Sequence, residues 1–328
     1  MKKRNSYFDA LRGIAILMVV AIHTYKYSES NLELAIRQLL NCAVPFFFAI
    51  SAFYTYRKTF SNFKDIVAFW KHQISKVYIP TLIWGIPFLL YDLYSSRFSL
   101  NSLVKLFFCG YGVFYFIAVI IQFYLLLPFL HYLKCEKKSV VISCIISFLS
   151  VSIITYYNIV QGVKLPLILY AGCCLLWGMF FVLGCFLSSA NRSFSVILSL
   201  IIMVLGYLLS FFESIYLLSN FNAGVGIKAS SFLFSFGIIS LLFSLRFENF
   251  YLSHMSHYTK WLEYIGRISF IIYLIHFYFS HFMVAKIPYF SDGWACRSIF
   301  VFMTTIILFW LIKKVVPQKL YYYLGIYD

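Results

Sequence analysis

The sequence predicts an all-α protein, a polytopic transmembrane bundle of about ten helical spans with both termini on the cytoplasmic side. Three observations carry this reading. Hydrophobic residues make up 62% of the 328 residues and charged residues only 12%, with a mean hydropathy of +0.85. A soluble domain carries about 25% charged residues. Apolar runs fall at 8–27, 37–56, 77–95, 111–133, 139–158, 166–188, 194–212, 229–245, 262–284 and 297–316. Each is near the roughly 20 residues that cross about 30 Å of hydrocarbon. Lysine and arginine are divided unevenly between alternate connecting segments. With the N-terminus inside, seventeen of the 27 fall on cytoplasmic segments, eight on outer ones, and Arg12 and Arg267 within spans. That bias gives N-in, C-in. No soluble region interrupts the pattern, so residues 1–328 read as one integral membrane domain.

The net charge of +16 does not point to nucleic acid. The basic residues sit in loops between apolar runs, where the cytoplasmic bias accounts for them, and the expected partner is the lipid bilayer. Of the eight cysteines, Cys144, Cys173, Cys174 and Cys185 lie inside apolar runs, as small hydrophobes do. No C-x-x-C pair or Cys/His spacing suits zinc, so neither a metal nor a required disulfide is expected. The basic residues before the first run resemble the start of a signal peptide. No A-x-A-like site follows, and the first span is expected to be retained.

The first span, Phe8 to Tyr27, reads FDALRGIAILMVVAIHTYKY. Arg12 and His23 are eleven residues apart in it. On a helix that is three turns plus about 20°, so both project from nearly one face, roughly 16 Å apart along the axis. Ionisable residues within a span are costly and mark functional sites by default. The alternative is that Arg12 snorkels to the headgroups. This pattern, F-D-x-L-R-G-I-A-I with Arg-x10-His, resembles the acyltransferase-3 family of bacterial integral membrane acyltransferases, many of which O-acetylate surface polysaccharides.

The second span holds Phe46-Phe47-Phe48-Ala49-Ile50-Ser51-Ala52-Phe53. It is similar to the family's F-F-x-x-S-G-F, with Ala52 in place of glycine, and reads as a packing motif. The segment from Arg57 to Lys76 interleaves basic residues with Phe63, Ile66, Val67, Phe69 and Trp70. It reads as an amphipathic helix on the inner membrane face, serving anionic lipid or the phosphates of an acyl donor. Lys76, just before the third span, stands where the family often has a basic residue and is the donor-binding candidate of this segment. In the fourth span Tyr115-Phe116 replaces the family's Trp-Phe, and Gln122 is a polar residue suited to an interhelical hydrogen bond. Spans five to eight carry no motif.

The ninth span contains Gly266, Ser269, Phe270, Tyr273, Leu274 and His276. It is similar to the family's G-x-x-S-[YF]-x-x-Y-L-x-H. Ser269, Tyr273 and His276 are spaced four and three apart, so they share a face. They are candidates for substrate or donor binding, or for structural hydrogen bonding. The resemblance implies acyl transfer from acyl-coenzyme A, most simply acetyl, to a carbohydrate hydroxyl, with no permanently bound cofactor. His23 is then the candidate base, since imidazole titrates near neutrality. Arg12 is the candidate anion holder, since guanidinium matches phosphate oxygens. A different class, a transporter or flippase for lipid-linked glycan, also fits basic loops and intramembrane polar residues. It lacks the internal repeat that a second R-x10-H half would provide.

Overall fold

The computed structural model describes residues 5–25, 30–189, 193–283 and 293–327, and among these every regular element is helical. Lys2, Lys3, Arg4, Lys26, Arg192 and Lys286, used above for orientation, lie outside the described residues. Eight helices are long and apolar enough to cross a membrane, or up to ten if each of two bent pairs is one span. The chain is a multi-pass, all-α membrane bundle. It packs as two compact units that interleave in sequence.

The first unit holds Met1–Thr59, Leu130–Leu165 and Leu175–Gly266. Its helices are α1 (Ser6–Thr24), α2 (Asn31–Leu40), α3 (Ala43–Thr55), α7 (Lys137–Thr155), α9 (Cys174–Leu187), α10 (Val196–Phe221), α11 (Ala229–Leu242), α12 (Leu245–Phe250) and α13 (Lys260–Arg267). Asn5 caps α1 by accepting the Tyr7 N–H, one of the donors a helix start leaves open. α9 is buried on nearly all sides, as its unbroken apolar sequence requires.

α10 shows how the unit meets lipid. Its buried residues are Ser199, Gly206, Ser210, Ser214 and Leu217, while Ile201, Leu205, Leu208 and Phe212 face outward. Small residues inside and large apolar ones outside is the arrangement lipid permits. Ser147 of α7 works the same way: its hydroxyl donates to the Leu175 carbonyl and accepts the Met179 N–H. α1 and α13 touch through Gly13 and Gly266. A methyl on Gly13 would strike the Leu262 carbonyl, and one on Gly266 the Asp9 carbonyl. The two glycines of the two family-like motifs thus bring those motifs into backbone contact. The expected span 229–245 is α11, and it bends by 57° into Leu245–Met255.

The second unit holds Phe60–Phe129, Pro166–Cys174 and Arg267–Asp328. Its helices are α4 (Phe63–Tyr94), α5 (Leu100–Phe107), α6 (Tyr115–Tyr132), α8 (Leu167–Ala171), α14 (Ser269–Tyr278), α15 (Trp294–Val315) and α16 (Tyr321–Leu324). The sequence separated an interfacial helix at 57–76 from a span at 77–95. α4 is instead one helix of 32 residues that starts at Asn62, whose side chain accepts the Asp65 N–H. It runs through Pro80 and Pro87. A proline deprives the carbonyl four residues earlier of its donor, and side chains fill the gap. For Pro80 that carbonyl belongs to Lys76, and the Tyr327 hydroxyl donates to it. In α6, Pro128 frees the Tyr124 carbonyl, which accepts Trp70 Nε1–H at 2.9 Å. The Trp84 carbonyl, next to the Ile83 carbonyl that Pro87 frees, accepts the Tyr278 hydroxyl.

Three expected single spans are broken, the first of them, the run 37–56, at Asn41–Cys42 between α2 and α3. The run 166–188 is α8 and α9 with an interruption at Gly172–Cys173. Gln122 of α6 satisfies both sides of it, donating to the Gly172 carbonyl at 2.7 Å and accepting the Cys174 N–H at 3.0 Å. This is the hydrogen-bonding role its position predicted. The run 262–284 breaks at Ile268, so its two halves are α13 and α14.

Candidate functional site

Arg12 and His23 stand on a single uninterrupted helix, α1. The axial separation of roughly 16 Å predicted from sequence therefore holds. Arg12 Nη1 donates to Asp9 Oδ1 at 2.9 Å; the guanidinium side chain is 23% exposed and the carboxylate side chain 5%. Its guanidinium also lies over the Tyr54 ring, 5.0 Å from the centroid. Among the described residues Arg12 Nε and Nη2 donate to no protein acceptor, so the group is anchored at one corner and open at the others. His23 lies in the last turn of α1 and is half-buried. Thr24 closes that turn by donating back to the Val20 and Ala21 carbonyls.

A second guanidinium accompanies Arg12. Arg57, exposed at the end of α3, stacks on the Phe53 ring at 4.0 Å and donates from Nε to the Ser188 carbonyl. Phe53 and Tyr54 are adjacent rings, 5.7 Å apart, and Phe8 stacks on Phe53 at 4.5 Å. Each arginine is thus steadied by an aromatic face and one hydrogen bond. Sequence reasoning placed Arg57 in a basic loop and gave Tyr54 no role. The signal present was a cluster of aromatic residues ending in a basic one, Phe53-Tyr54-Thr55-Tyr56-Arg57. Ser51 is half-buried in α3, its carbonyl accepting the Thr55 hydroxyl.

In the second unit, the Tyr273 hydroxyl donates to the Val113 carbonyl at 2.6 Å, fixing α14 to the start of α6. His276 is fully buried. Its Nδ1 lies 2.8 Å from the Tyr273 carbonyl and 3.2 Å from that of Ile272. Carbonyls only accept, so Nδ1 carries the proton. Ser269, at the first turn of α14, is also buried. The Lys76 ammonium lies over the Tyr327 ring at 4.4 Å, and the same ring stacks near Phe270. Tyr327 therefore joins Lys76 to the start of α14. Nothing in the sequence singled it out, because it is one of several tyrosines in the segment 321–327 and matches no motif. Among the described residues no group of three or more His, Cys, Asp or Glu is placed to hold a metal ion.

The family description "Acyltransferase domain" matches residues 5–314, nearly the whole chain. The chain belongs to the acyltransferase-3 family. The two motif regions that resemble the family lie on α1 and on α13–α14, where Gly13 and Gly266 join the first to the beginning of the second. One curated relative, described as an amino-acid racemase from Enterococcus faecalis, is 31% identical over 182 residues. The match covers 50% of this chain but 24% of the racemase, so the matched part corresponds to about a quarter of that longer protein. No solved structure matched the chain.

Proposed function

We propose that this membrane acyltransferase moves an acyl group, acetyl in the simplest case, from cytoplasmic acyl-coenzyme A to a hydroxyl of a surface polysaccharide or its lipid-linked precursor. The observation that supports this most is the pair Arg12 and His23 on one helix, with Arg12 pre-set and its outward donors open. A guanidinium with free N–H groups suits the phosphates of the donor. Arg57, stacked on the neighbouring ring, adds a second such group. The thioester at the far end of the donor's flexible arm then meets His23 about three turns along the helix.

In the reaction, neutral His23 accepts the proton of the acceptor hydroxyl as its oxygen attacks the thioester carbonyl. The tetrahedral intermediate collapses with cleavage of the C–S bond. The departing thiolate takes the proton from the imidazolium, leaving ester, free thiol and neutral His23. Lys76, Ser269, Tyr273 and His276 serve the second unit. Within that unit Lys76 is a candidate cation for donor phosphates, and the three α14 residues are candidates for substrate or donor binding.

The test is O-acetyl analysis of surface polysaccharide in cells producing wild type, Arg12→Ala or His23→Ala at matched membrane levels. Wild type is expected to add acetyl esters. His23→Ala should reduce them by at least about 100-fold, the scale of general-base catalysis. Arg12→Ala should raise the donor concentration required. Unchanged esters in His23→Ala would overturn the assignment of the base. If neither esters nor acyl-coenzyme A turnover depended on the protein, the glycolipid transporter reading would replace the enzyme.

A further inference from the structure

At the His23 end of α1 lies a knot of polar side chains with more donors than acceptors. It joins α2, α10 and the turn before α11. Arg37 is 7% exposed, and Gln38 and Lys228 are 0% exposed. The Arg37 guanidinium lies 5.9 Å from the ring centroid of Tyr25, two residues beyond His23. Its Nη1 donates to Asn41 Oδ1 at 2.5 Å. Gln38 Oε1 receives three donors: Asn41 Nδ2 at 2.9 Å, Ser210 Oγ at 2.9 Å and Lys228 Nζ at 2.6 Å. Lys228 Nζ also donates to Ser214 Oγ at 2.7 Å, and that hydroxyl donates onward to the Gly224 carbonyl.

The accounting does not close. An amide oxygen has two lone pairs, yet three donors converge on this one. Gln38 Nε2, meanwhile, is buried with no hydrogen-bond partner. Turning the amide over would set its NH2 group against the Lys228 ammonium and against the Asn41 NH2, whose orientation Arg37 fixes, so neither orientation balances the knot. Charge is also missing. Both partners of the Lys228 ammonium are neutral oxygens, and among the described residues it makes no ion pair. Glu213 of α10 acts on it only through space, its carboxylate being engaged by the Ser230 hydroxyl. A buried cation without a counter-charge is costly. One negatively charged oxygen group would supply the lone pairs and the charge together.

We propose that this knot is a binding site for an anionic oxygen group of the acyl acceptor, a carboxylate or a phosphate, held by Lys228 Nζ and Gln38 Nε2 with Arg37 beside them. The proposal rests on the reading that the acceptor reaches the His23 end of α1. It gives that acceptor a chemical class: an acidic sugar, or a glycan carried on a lipid phosphate.

The site has a pH signature. Burial holds the Lys228 ammonium down, from 10.5 to about 7; Glu213 opposes this and Arg37 of α2 adds to it. α11 contributes no charged residue to the knot. Anion binding needs the protonated amine, so it is strong below about 7 and is lost as pH rises. From pH 6 to pH 8.5 the protonated fraction falls from about 0.9 to about 0.03, which weakens binding roughly 30-fold.

Thermal unfolding of the full-length protein in detergent tests this, with glucuronate, glycerol phosphate or sodium chloride at matched ionic strength. At pH 6 one of the two organic anions should raise Tm where chloride does not, with an apparent Kd roughly 30-fold weaker at pH 8.5. Glucuronate as the active anion indicates an acidic sugar, and glycerol phosphate a phosphate-linked carrier. Gln38→Glu places a carboxylate beside Lys228 in the same shape. It should fold at least as well as wild type and lose the response, as should Lys228→Met. No shift beyond chloride in wild type at either pH would overturn the proposal. So would a shift that persists in Gln38→Glu and Lys228→Met. Failure of the enzyme reading would show separately, in the polysaccharide analysis above.

Discussion

Among single residues, the polar positions of the two motif regions divide by what they touch. Arg12 keeps open donors after meeting Asp9 and Tyr54. Tyr273 has spent its hydroxyl on the Val113 carbonyl. The difference is measurable. Tyr273→Phe removes one buried hydrogen bond and leaves an acceptor unfilled, so it should cost about 1–3 kcal/mol of stability. Acyl transfer per folded molecule should stay within a few-fold of wild type. Thermal unfolding paired with a turnover assay checks it. A drop of 100-fold or more in turnover with an unchanged Tm would instead place the Tyr273 hydroxyl among the reacting groups. Arg12, His23 and the α14 trio were readable from sequence because ionisable and hydroxyl residues stand out against an apolar background. Gln38 and Lys228 were not. A lysine in a loop is counted as an outer charge, and only the packing of α2 on α10 reveals that it is buried.

For the helices, the positions of the spans were legible and their interruptions were not. Hydropathy records which residues prefer lipid, and the described part of each of the ten apolar runs is largely helical. It does not record where the backbone ladder stops. The breaks at Gly172–Cys173 and Ile268 are therefore invisible to it, as is the bend after α11. Gln122 was the one clue, since a polar side chain in an apolar run needs a partner. The merger of the basic segment with the third span in α4 was missed for the opposite reason. Lysines suggested a helix lying on the surface, while the helical backbone simply continues upward from Asn62. At this scale the contact of α1 with α13 makes the sharpest prediction. Gly266 has no room for a side chain against the Asp9 carbonyl, so Gly266→Val must force the two helices apart. The expected loss is more than about 3 kcal/mol, or failure to accumulate. Folded yield after detergent extraction measures it, and wild-type yield and Tm would mean that α1 and α13 are not tightly apposed.

Within each unit large apolar side chains face outward as well as inward, and small polar residues such as Ser147, Ser210 and Thr305 sit among the buried apolar ones, as lipid surroundings permit. The orientation expected from the distribution of Lys and Arg, N-in and C-in, is open to a direct test. Cysteine labelling with a membrane-impermeant reagent should therefore modify a cysteine at Lys137 only from the cytoplasmic side, and one at Lys164 only from the outside. The reverse pattern would invert the donor and acceptor sides of the proposed reaction. The prolines carry a last consequence. In α4 and α6 a carbonyl orphaned by Pro80 or Pro128 is filled by Tyr327 or Trp70. The helix backbone has thereby become a docking partner for a side chain far away in sequence. Aromatic residues make up 22% of the chain, and part of that richness reads as mortar rather than as anchorage at the lipid surface. Each proline and its aromatic form a matched pair, so losing the ring without losing the proline strands a carbonyl in hydrocarbon, and losing both lets the helix heal itself.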